Sequence, residues 1–340
     1  MTTELLTPDG TERAGELIRQ GKLVVFPTET VYGLGADALD PGACRRIFEA
    51  KGRPQDNPLI VHIYDRSQVD LVARALPPGA EILMDSFWPG PLTLVLPKKS
   101  AVSDVVTAGL DTVGVRMPRH PAALDFLKAA GTPVAAPSAN RSGKPSPTNF
   151  AMARSAMEGR AEAIIDGGQC ETGLESTVAA WTETAAGRGW TILRPGAVTR
   201  EDLYSVLDDL YLSQESARDE GLLARSPGTR HPHYQPRAEV RLFSDAEELE
   251  RANAAGCYQG WAVLCAEEAK NAAETGRGPL LVRSYPGWIA LARRLYSDFY
   301  ELDAAGVPGI LAQIPTEEGG ISDALRNRLL KASAGRLIEF

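Results

Sequence analysis

The sequence predicts an α/β protein in two parts, a helix-flanked mixed sheet followed by a smaller doubly wound unit. Two observations carry that reading. Short apolar runs alternate irregularly with helical stretches, and some strands follow one another directly, so a mixed sheet fits better than a purely parallel one. The stretch Ser226–Pro236 then breaks the pattern with prolines at 227, 232 and 236 and with Gly228, and beyond it strand and helix alternate more cleanly.

After a helix over Thr11–Gln20, the run Leu23-Val24-Val25-Phe26 is apolar throughout and closed by Pro27, which reads as a buried strand. Asp40 and Pro41 supply an N-cap and a first-turn proline for a helix through Ala50. Strands are expected at Leu59–Ile63, Leu92–Leu96, Thr112–Arg116, Pro133–Ala136, Ala163–Asp166, Ser176–Trp181 and Trp190–Leu193. Helices are expected at Ser67–Ala75, Ala80–Phe87, Pro121–Ala130, Thr148–Glu158 and Arg200–Asp208. The polar run Ser213–Glu220 and the proline-rich segment read as an interdomain linker, taken as 209–237, between a first domain at 8–208 and a second at 238–340. In the second domain strands fall at Val240–Phe243, Trp261–Cys265, Leu280–Val282 and Gly309–Gln313, with helices at Asp245–Ala255, Trp288–Ala305 and Ser322–Ala334. It holds no G-x-G-x-x-G and no P-loop, so Gly276, Gly278, Gly319 and Gly320 read as turn residues.

Composition narrows the function classes. The chain has 340 residues, 44% hydrophobic and 24% charged, which excludes a disordered chain and a disulfide-dependent mini-protein. With 36 Lys+Arg against 44 Asp+Glu, the net charge of −8 argues against a protein that coats nucleic acid, whose binding rests on surplus cations. Cys44, Cys170, Cys257 and Cys265 form no C-x-x-C pair and read as free thiols. No apolar run is long enough to span a membrane and the first residues lack the order of a secretory signal, which together point to a soluble, cytoplasmic protein with no membrane partner.

Three stretches concentrate polar chemistry at expected strand ends. Pro27-Thr28-Glu29-Thr30-Val31-Tyr32-Gly33-Leu34-Gly35-Ala36-Asp37 follows a buried strand, and reads either as a ligand loop or as a turn whose Thr and Glu satisfy backbone groups. Lys51-Gly52-Arg53-Pro54 could serve a helix C-terminus, but Arg53 stands beyond the helix in a segment braced by Pro54 and Pro58, which suits phosphate better. His62, on the following strand, is either a core histidine or a ligand residue. Pro137-Ser138-Ala139-Asn140-Arg141-Ser142-Gly143-Lys144-Pro145-Ser146 opens from a strand of small residues into a loop suited to oxygen-rich ligands. Lys51, Arg53, Arg116, Arg141, Lys144 and Arg194 all sit near strand ends of an acidic protein, which implies an anionic ligand.

Together, Pro27-Thr28-Glu29-Thr30-Val31-Tyr32-Gly33-Leu34, Lys51-x-Arg53-Pro54-x-x-Asn57-Pro58-Leu59, Pro137-Ser138-Ala139-Asn140 and Ser176-Thr177-Val178 resemble the L-threonylcarbamoyladenylate synthase family, in its long two-domain form. The resemblance implies a YrdC-like twisted mixed sheet with a large, concave, electropositive cavity, followed by a small Rossmann-like domain. It implies an enzyme that condenses L-threonine, bicarbonate and ATP into threonylcarbamoyl-AMP and pyrophosphate. It further implies downstream threonylcarbamoyl transferase proteins acting on tRNA, Mg²⁺ accompanying ATP, and no organic cofactor. Direct tRNA binding would be weak. An RNA-binding module that uses the basic cavity without forming an adenylate is the alternative.

By matching to the family, Lys51 and Arg53 fall at the catalytic positions, and Thr30, His62, Arg116, Ala136 and Ser176 where threonine is held. Arg53, Asn57, Thr112, Ser138, Asn140, Ser146, Arg194 and Tyr234 fall where ATP is held. The linker departs from the family pattern Ser-Pro-Gly-Met-Lys-Tyr-Lys/Arg-His-Tyr-Ala-Pro. Ser226, Gly228, His233 and Tyr234 are kept, Arg230-His231 stands where the Lys-Tyr pair is usual, and Pro232 is new. A lid over the cavity is the expected role of this segment.

Overall fold

Apolar runs too short for helices become the strands of one large sheet in a computed structural model that describes residues 1–184, 187–207, 220–226, 233–274 and 281–339. The chain divides into two units, one of Met1–Ser142 with Ser146–His231 and one of Gly143–Pro145 with Pro232–Phe340.

The first unit holds β1 (Glu4–Leu6), β2 (Val24–Phe26), β3 (Gly33–Asp37), β4 (Ile60–His62), β5 (Leu92–Pro97), β6 (Thr112–Arg116), β7 (Val134–Ala136), β8 (Ala163–Ile165), β9 (Thr177–Thr184) and β10 (Gly187–Arg194). Their order is β1-β8-β2-β3-β7-β4-β6-β5-β9-β10. The sheet is mixed, as expected: β4 and β6 run parallel, whereas β7 is antiparallel to both β3 and β4. Helices Thr11–Arg19 and Pro121–Ala130 cover one face over β2, β7 and β8, where Ala14, Ile18, Phe126 and Leu127 pack on Val24, Phe26, Val134 and Ile165. The larger core on the opposite face gathers Leu34, Ile47, Phe48, Val61, Leu94 and Val115.

Helix Pro41–Lys51 starts and stops where its sequence directs. Asp40 accepts hydrogen bonds from the backbone N–H of Gly42 and Ala43, and Gly52 takes the left-handed conformation at φ 62° that closes the helix. The same helix therefore delivers Lys51 at its last turn and releases Arg53 beyond it.

Four expectations need correction. The helix expected at Ser67–Ala75 is a 3-10 turn at Arg66–Gln68 followed by a single helical turn, Val69–Val72. Residues 33–37, read as part of a loop, form β3, antiparallel to β2. Gly33 and Gly35 are strand glycines: a Cβ at Gly33 would lie 3.0 Å from the Phe26 ring, and one at Gly35 2.8 Å from Val134 Cγ1, so both make room for packing rather than for a turn. The expected helix Thr148–Glu158 begins only at Phe150, with Asn149 accepting from the Met152 N–H. A short helix, Glu220–Leu223, lies inside the segment read as linker. Residues 209–219 and 227–232 of that segment, and with them the middle of the expected lid, lie outside the described residues, whereas Ser226, His233 and Tyr234 are described and buried.

The second unit is the regular α/β array the sequence predicts. Strands β11 (Glu239–Phe243), β12 (Ala262–Ala266), β13 (Leu281–Tyr285) and β14 (Gly309–Gln313) are all parallel in the order β11-β14-β12-β13, with helices Ala246–Ala255, Trp288–Ala305 and Gly320–Ser333. Asp298 is fully buried and holds Arg283, Arg294 and the Tyr285 hydroxyl, a structural cluster at the β13 edge. Among the described residues no helix is long and apolar enough to cross a membrane.

The crossing of Thr11–Arg19 and Pro121–Ala130 depends on Gly15, where an added Cβ would sit 2.5 Å from the Ala129 carbonyl carbon. Gly15→Ala is expected to cost about 1–3 kcal/mol by overpacking. Urea titration will read this as a lower midpoint with an unchanged slope; an unchanged midpoint would contradict the close contact.

Candidate functional site

The site begins where β2 stops. Pro27 ends the strand, and Thr28 folds the following turn: its Oγ1 accepts from the N–H of Thr30 and Val31, both at 3.2 Å, and donates to the Val31 carbonyl at 2.6 Å. The Thr28 and Thr30 hydroxyls share a hydrogen bond at 2.8 Å. Glu29 and Thr30 are thereby held on a buried turn.

Across the sheet, β4 and β6 place His62 and Arg116 in register as direct neighbours at the same strand end. Arg116 spends its donors on three segments: Nη1 on the Thr30 hydroxyl at 2.9 Å, Nε on the Gly90 carbonyl at 3.2 Å, and Nη2 in an ion pair with Glu29 Oε2 at 2.8 Å. The Arg116 and Glu29 side chains are 4% and 2% exposed, so this is a charge pair in the interior. His62 sits edge-on to the Phe26 ring with centroids 5.7 Å apart. Burial first, and then the Arg116 charge, push its pKa down to about 3, so the imidazole is neutral at physiological pH.

Lys51 makes a second centre. Its Nζ donates to the backbone carbonyls of Ser138 and Asn140 and lies 3.4 Å from Asn140 Oδ1. The Ser138 hydroxyl donates to the same Asn140 oxygen. Burial first, then the charges of Arg53 and Arg141, push the lysine pKa well below its usual value. The surrounding oxygens work against that drop by matching the N–H donors of an ammonium. Arg53 turns back on its own loop, with Nη2 donating to the Pro58 carbonyl at 3.1 Å and to that of Asn57 at 3.4 Å.

A third group lies at the entrance to β9. Ser176 Oγ meets Thr93 Oγ1 at 2.8 Å, and Arg194 Nη2 reaches the Ser176 carbonyl at 2.9 Å and its hydroxyl at 3.1 Å. Ser146 donates to Glu175 Oε1 at 2.6 Å. Alternation along β6 and the β4 and β7 registers put Ala136 on the same sheet face as His62 and Arg116. Thr112 shares that face but at the opposite end of β6, about 13 Å along the strand from Arg116. Gly114 lies between them.

The residues expected to form a site thus gather in two bonded sets, Thr30 with Arg116 and Lys51 with Ser138 and Asn140, with His62 next to Arg116 in the sheet and Ser176 joined to Arg194 nearby in sequence. Tyr234 belongs to the second unit, where it is buried at φ 66°, stacked on Tyr296 at 5.4 Å and under the Arg328 guanidinium at 5.6 Å. Sequence reading passed over Glu29, Thr93 and Glu175 as site residues. For Glu29 the available signal was a carboxylate between two threonines, and for Glu175 a carboxylate directly before Ser176; Thr93 sits in an apolar strand that carries none. Among the described residues no three His, Cys, Asp or Glu side chains cluster as metal ligands, so the donor set does not form a protein cage for Mg²⁺.

The first unit is thus a mixed α/β sheet with cations and hydroxyls buried at its strand ends. Residues 16–196 match the Sua5_yciO_yrdC family, described as telomere recombination, and residues 198–334 match the threonylcarbamoyl-AMP synthase C-terminal domain. The chain belongs to this threonylcarbamoyl-AMP synthase family. It is 43% identical to the threonylcarbamoyl-AMP synthase of Pyrococcus abyssi over 96% of this chain and 94% of the relative. It is 40% identical to that of Bacillus subtilis over 99% and 97%. The crystal structure of P. abyssi Sua5 complexed with L-threonine superposes with a TM-score of 0.86 at 39% identity, covering both chains in full.

The His62 shift fixes a pH dependence. Its pKa falls from 6.5 unfolded to about 3 folded, so between those values the unfolded chain binds a proton that the folded chain does not. Its contribution to stability is therefore complete above about pH 6.5 and is lost as pH falls towards 3. In His62→Gln, denaturant titrations across that window should show a flatter fall in stability than in the parent; an equal slope would remove His62 as its source.

Proposed function

We propose that the protein condenses L-threonine, bicarbonate and ATP into threonylcarbamoyl-AMP and pyrophosphate, the intermediate for threonylcarbamoyl modification of the adenosine beside the tRNA anticodon. The observation that carries the proposal is the separation of two buried cationic centres. Arg116 with Thr30 suits an amino acid's carboxylate and hydroxyl; Lys51 with Ser138 and Asn140 suits a nucleotide's phosphates and base or ribose. The full-length likeness to named synthases, and to a structure holding L-threonine, supports it.

The chemistry asks for positioning rather than for an enzyme nucleophile. Threonine and bicarbonate form N-carboxythreonine, whose carbamate oxygen attacks the α-phosphorus of ATP and displaces pyrophosphate. Orienting the reactants contributes about 7–11 kcal/mol when they are well placed. In this reading Arg116, Thr30, His62, Ala136 and Ser176 hold threonine. The neutral imidazole of His62 offers a hydrogen bond without adding charge. Lys51 and Arg53 offset phosphate charge, and Asn57, Thr112, Ser138, Asn140, Ser146 and Arg194 line the nucleotide. Mg²⁺ would enter on the triphosphate, keeping its own waters, which needs no protein cage. The product would pass to a transferase that acts on tRNA in the cytoplasm.

Incubation with ATP and bicarbonate should release pyrophosphate only with threonine, and serine or alanine should support little of it. Equal release without an amino acid, or salt-sensitive RNA binding with no turnover, would overturn the proposal. Lys51→Ala should abolish adenylate formation while threonine still binds, as read by calorimetry. Arg116→Lys should weaken threonine binding at least about tenfold, because a single ammonium cannot hold Thr30, Gly90 and Glu29 and still reach a substrate carboxylate.

A further inference from the structure

Glu29 is the carboxylate that the amino-acid site has left over. It is 2% exposed, and burying an ionised carboxylate is costly unless its oxygens are paired. Yet Oε1 has no hydrogen-bond partner among the described residues, and Oε2 has only the ion pair with Arg116 Nη2. Two of Arg116's other donors are committed elsewhere, to Thr30 and Gly90, so the guanidinium does not grip the carboxylate with two parallel bonds. A pair built only for stability would close around both oxygens. This one leaves an acceptor open beside a cation and a hydroxyl.

Charge, anion and hydroxyl in that order complement an amino-acid zwitterion: Arg116 for the carboxylate, Glu29 for the ammonium, Thr30 for an oxygen. His62 is a poor proton acceptor here, since burial and Arg116 keep it neutral even in mild acid. The other titratable groups that sense the Glu29 charge are His120, half-buried with its pKa pushed down, and Cys170, a thiol whose pKa burial pushes up. Neither is an anion at neutral pH.

We infer that Glu29 binds the α-ammonium of the amino-acid substrate and takes up one of its protons as the nitrogen becomes a nucleophile. The inference rests on the reading of Arg116 and Thr30 as the amino-acid site. One N–H proton passes to Glu29, and the freed lone pair attacks the carbon of bicarbonate. The bond from that carbon to the hydroxyl oxygen breaks, and the hydroxyl leaves as water with a second proton from nitrogen. The product is the N-carboxy amino acid, and Glu29 returns its proton to solvent.

Calorimetric titration with L-threonine and with 3-hydroxybutanoate, which keeps the carboxylate, hydroxyl and methyl but lacks the ammonium, separates the possibilities. The parent protein should prefer threonine at least tenfold. In Glu29→Gln that preference should collapse through weaker threonine binding, with 3-hydroxybutanoate bound as well as before or better. Threonine-dependent pyrophosphate release at saturating threonine should fall about a hundredfold, the usual scale of a lost proton acceptor. Glu29→Asp should recover part of the preference, which a purely structural role would not predict. Arg116→Lys should weaken both ligands; if it changes neither, the amino-acid site itself is misread. If it weakens both while Glu29→Gln keeps the parental preference, only the role of Glu29 fails. Equal binding of the two ligands by the parent protein would refute that role without any variant, even if Glu29→Gln does not fold.

Discussion

The interior of the first unit is organised by two buried cations that must be surrounded by oxygen. Lys51 and Arg116 each lose water on folding, and each is surrounded by groups far away in the chain. For Lys51 these are the carbonyls of Ser138 and Asn140, so the end of one helix is tied to the loop after β7. For Arg116 they are the Thr30 hydroxyl, the Gly90 carbonyl and the Glu29 carboxylate, so β6 is tied to the turn after β2 and to the segment before β5. Moving either loop would leave a bare charge in the interior, and this holds the loops in place.

The sheet makes those reaches possible by bringing strand ends together. Parallel β4 and β6 set His62 beside Arg116, and antiparallel β7 brings the chain to Ser138 next to β3, where Ser138 bridges Gly33. Small residues keep the segments close. At Gly196 an added Cβ would stand 2.3 Å from the Thr177 N–H nitrogen, so the chain leaving β10 lies directly on the residues that carry Ser176. Arg194 reaches Ser176 across that same contact. Glycine here is required by proximity, with no unusual backbone angle involved.

The second unit follows simpler rules. Its parallel strands are apolar runs separated by amphipathic helices, and its buried polar groups answer one another locally, as Asp298 does with Arg283, Arg294 and Tyr285. Tyr234 is packed within it, against Tyr296 and Arg328. The left-handed backbone at Tyr234 is an unusual conformation for a tyrosine, and the aromatic and cationic surfaces on that side chain hold it there.

Much of the architecture could be read from residue order alone, because it follows from local chemistry. Asp40-Pro41 and Gly52 bound a helix by capping, Leu23–Phe26 is buried because it is apolar, and the strand–helix alternation after residue 238 leaves little but a doubly wound array. The motifs also singled out Thr30, Lys51, Arg116, Ser138, Asn140 and Ser176, and the structure bonds Thr30 to Arg116 and Lys51 to Ser138 and Asn140. β3 was not legible, because Gly33 and Gly35 look like a turn until the Phe26 ring and Val134 are seen against them. Nor was the place of Glu29: whether a carboxylate beside threonines faces solvent, a backbone N–H or a buried guanidinium depends on which distant strand lies opposite. Residue order determined the kinds of group this protein carries and the segments that bear them. Folding decided which of those groups meet, since contacts between residues tens of positions apart are set by strand order and by the need of each buried charge for a partner.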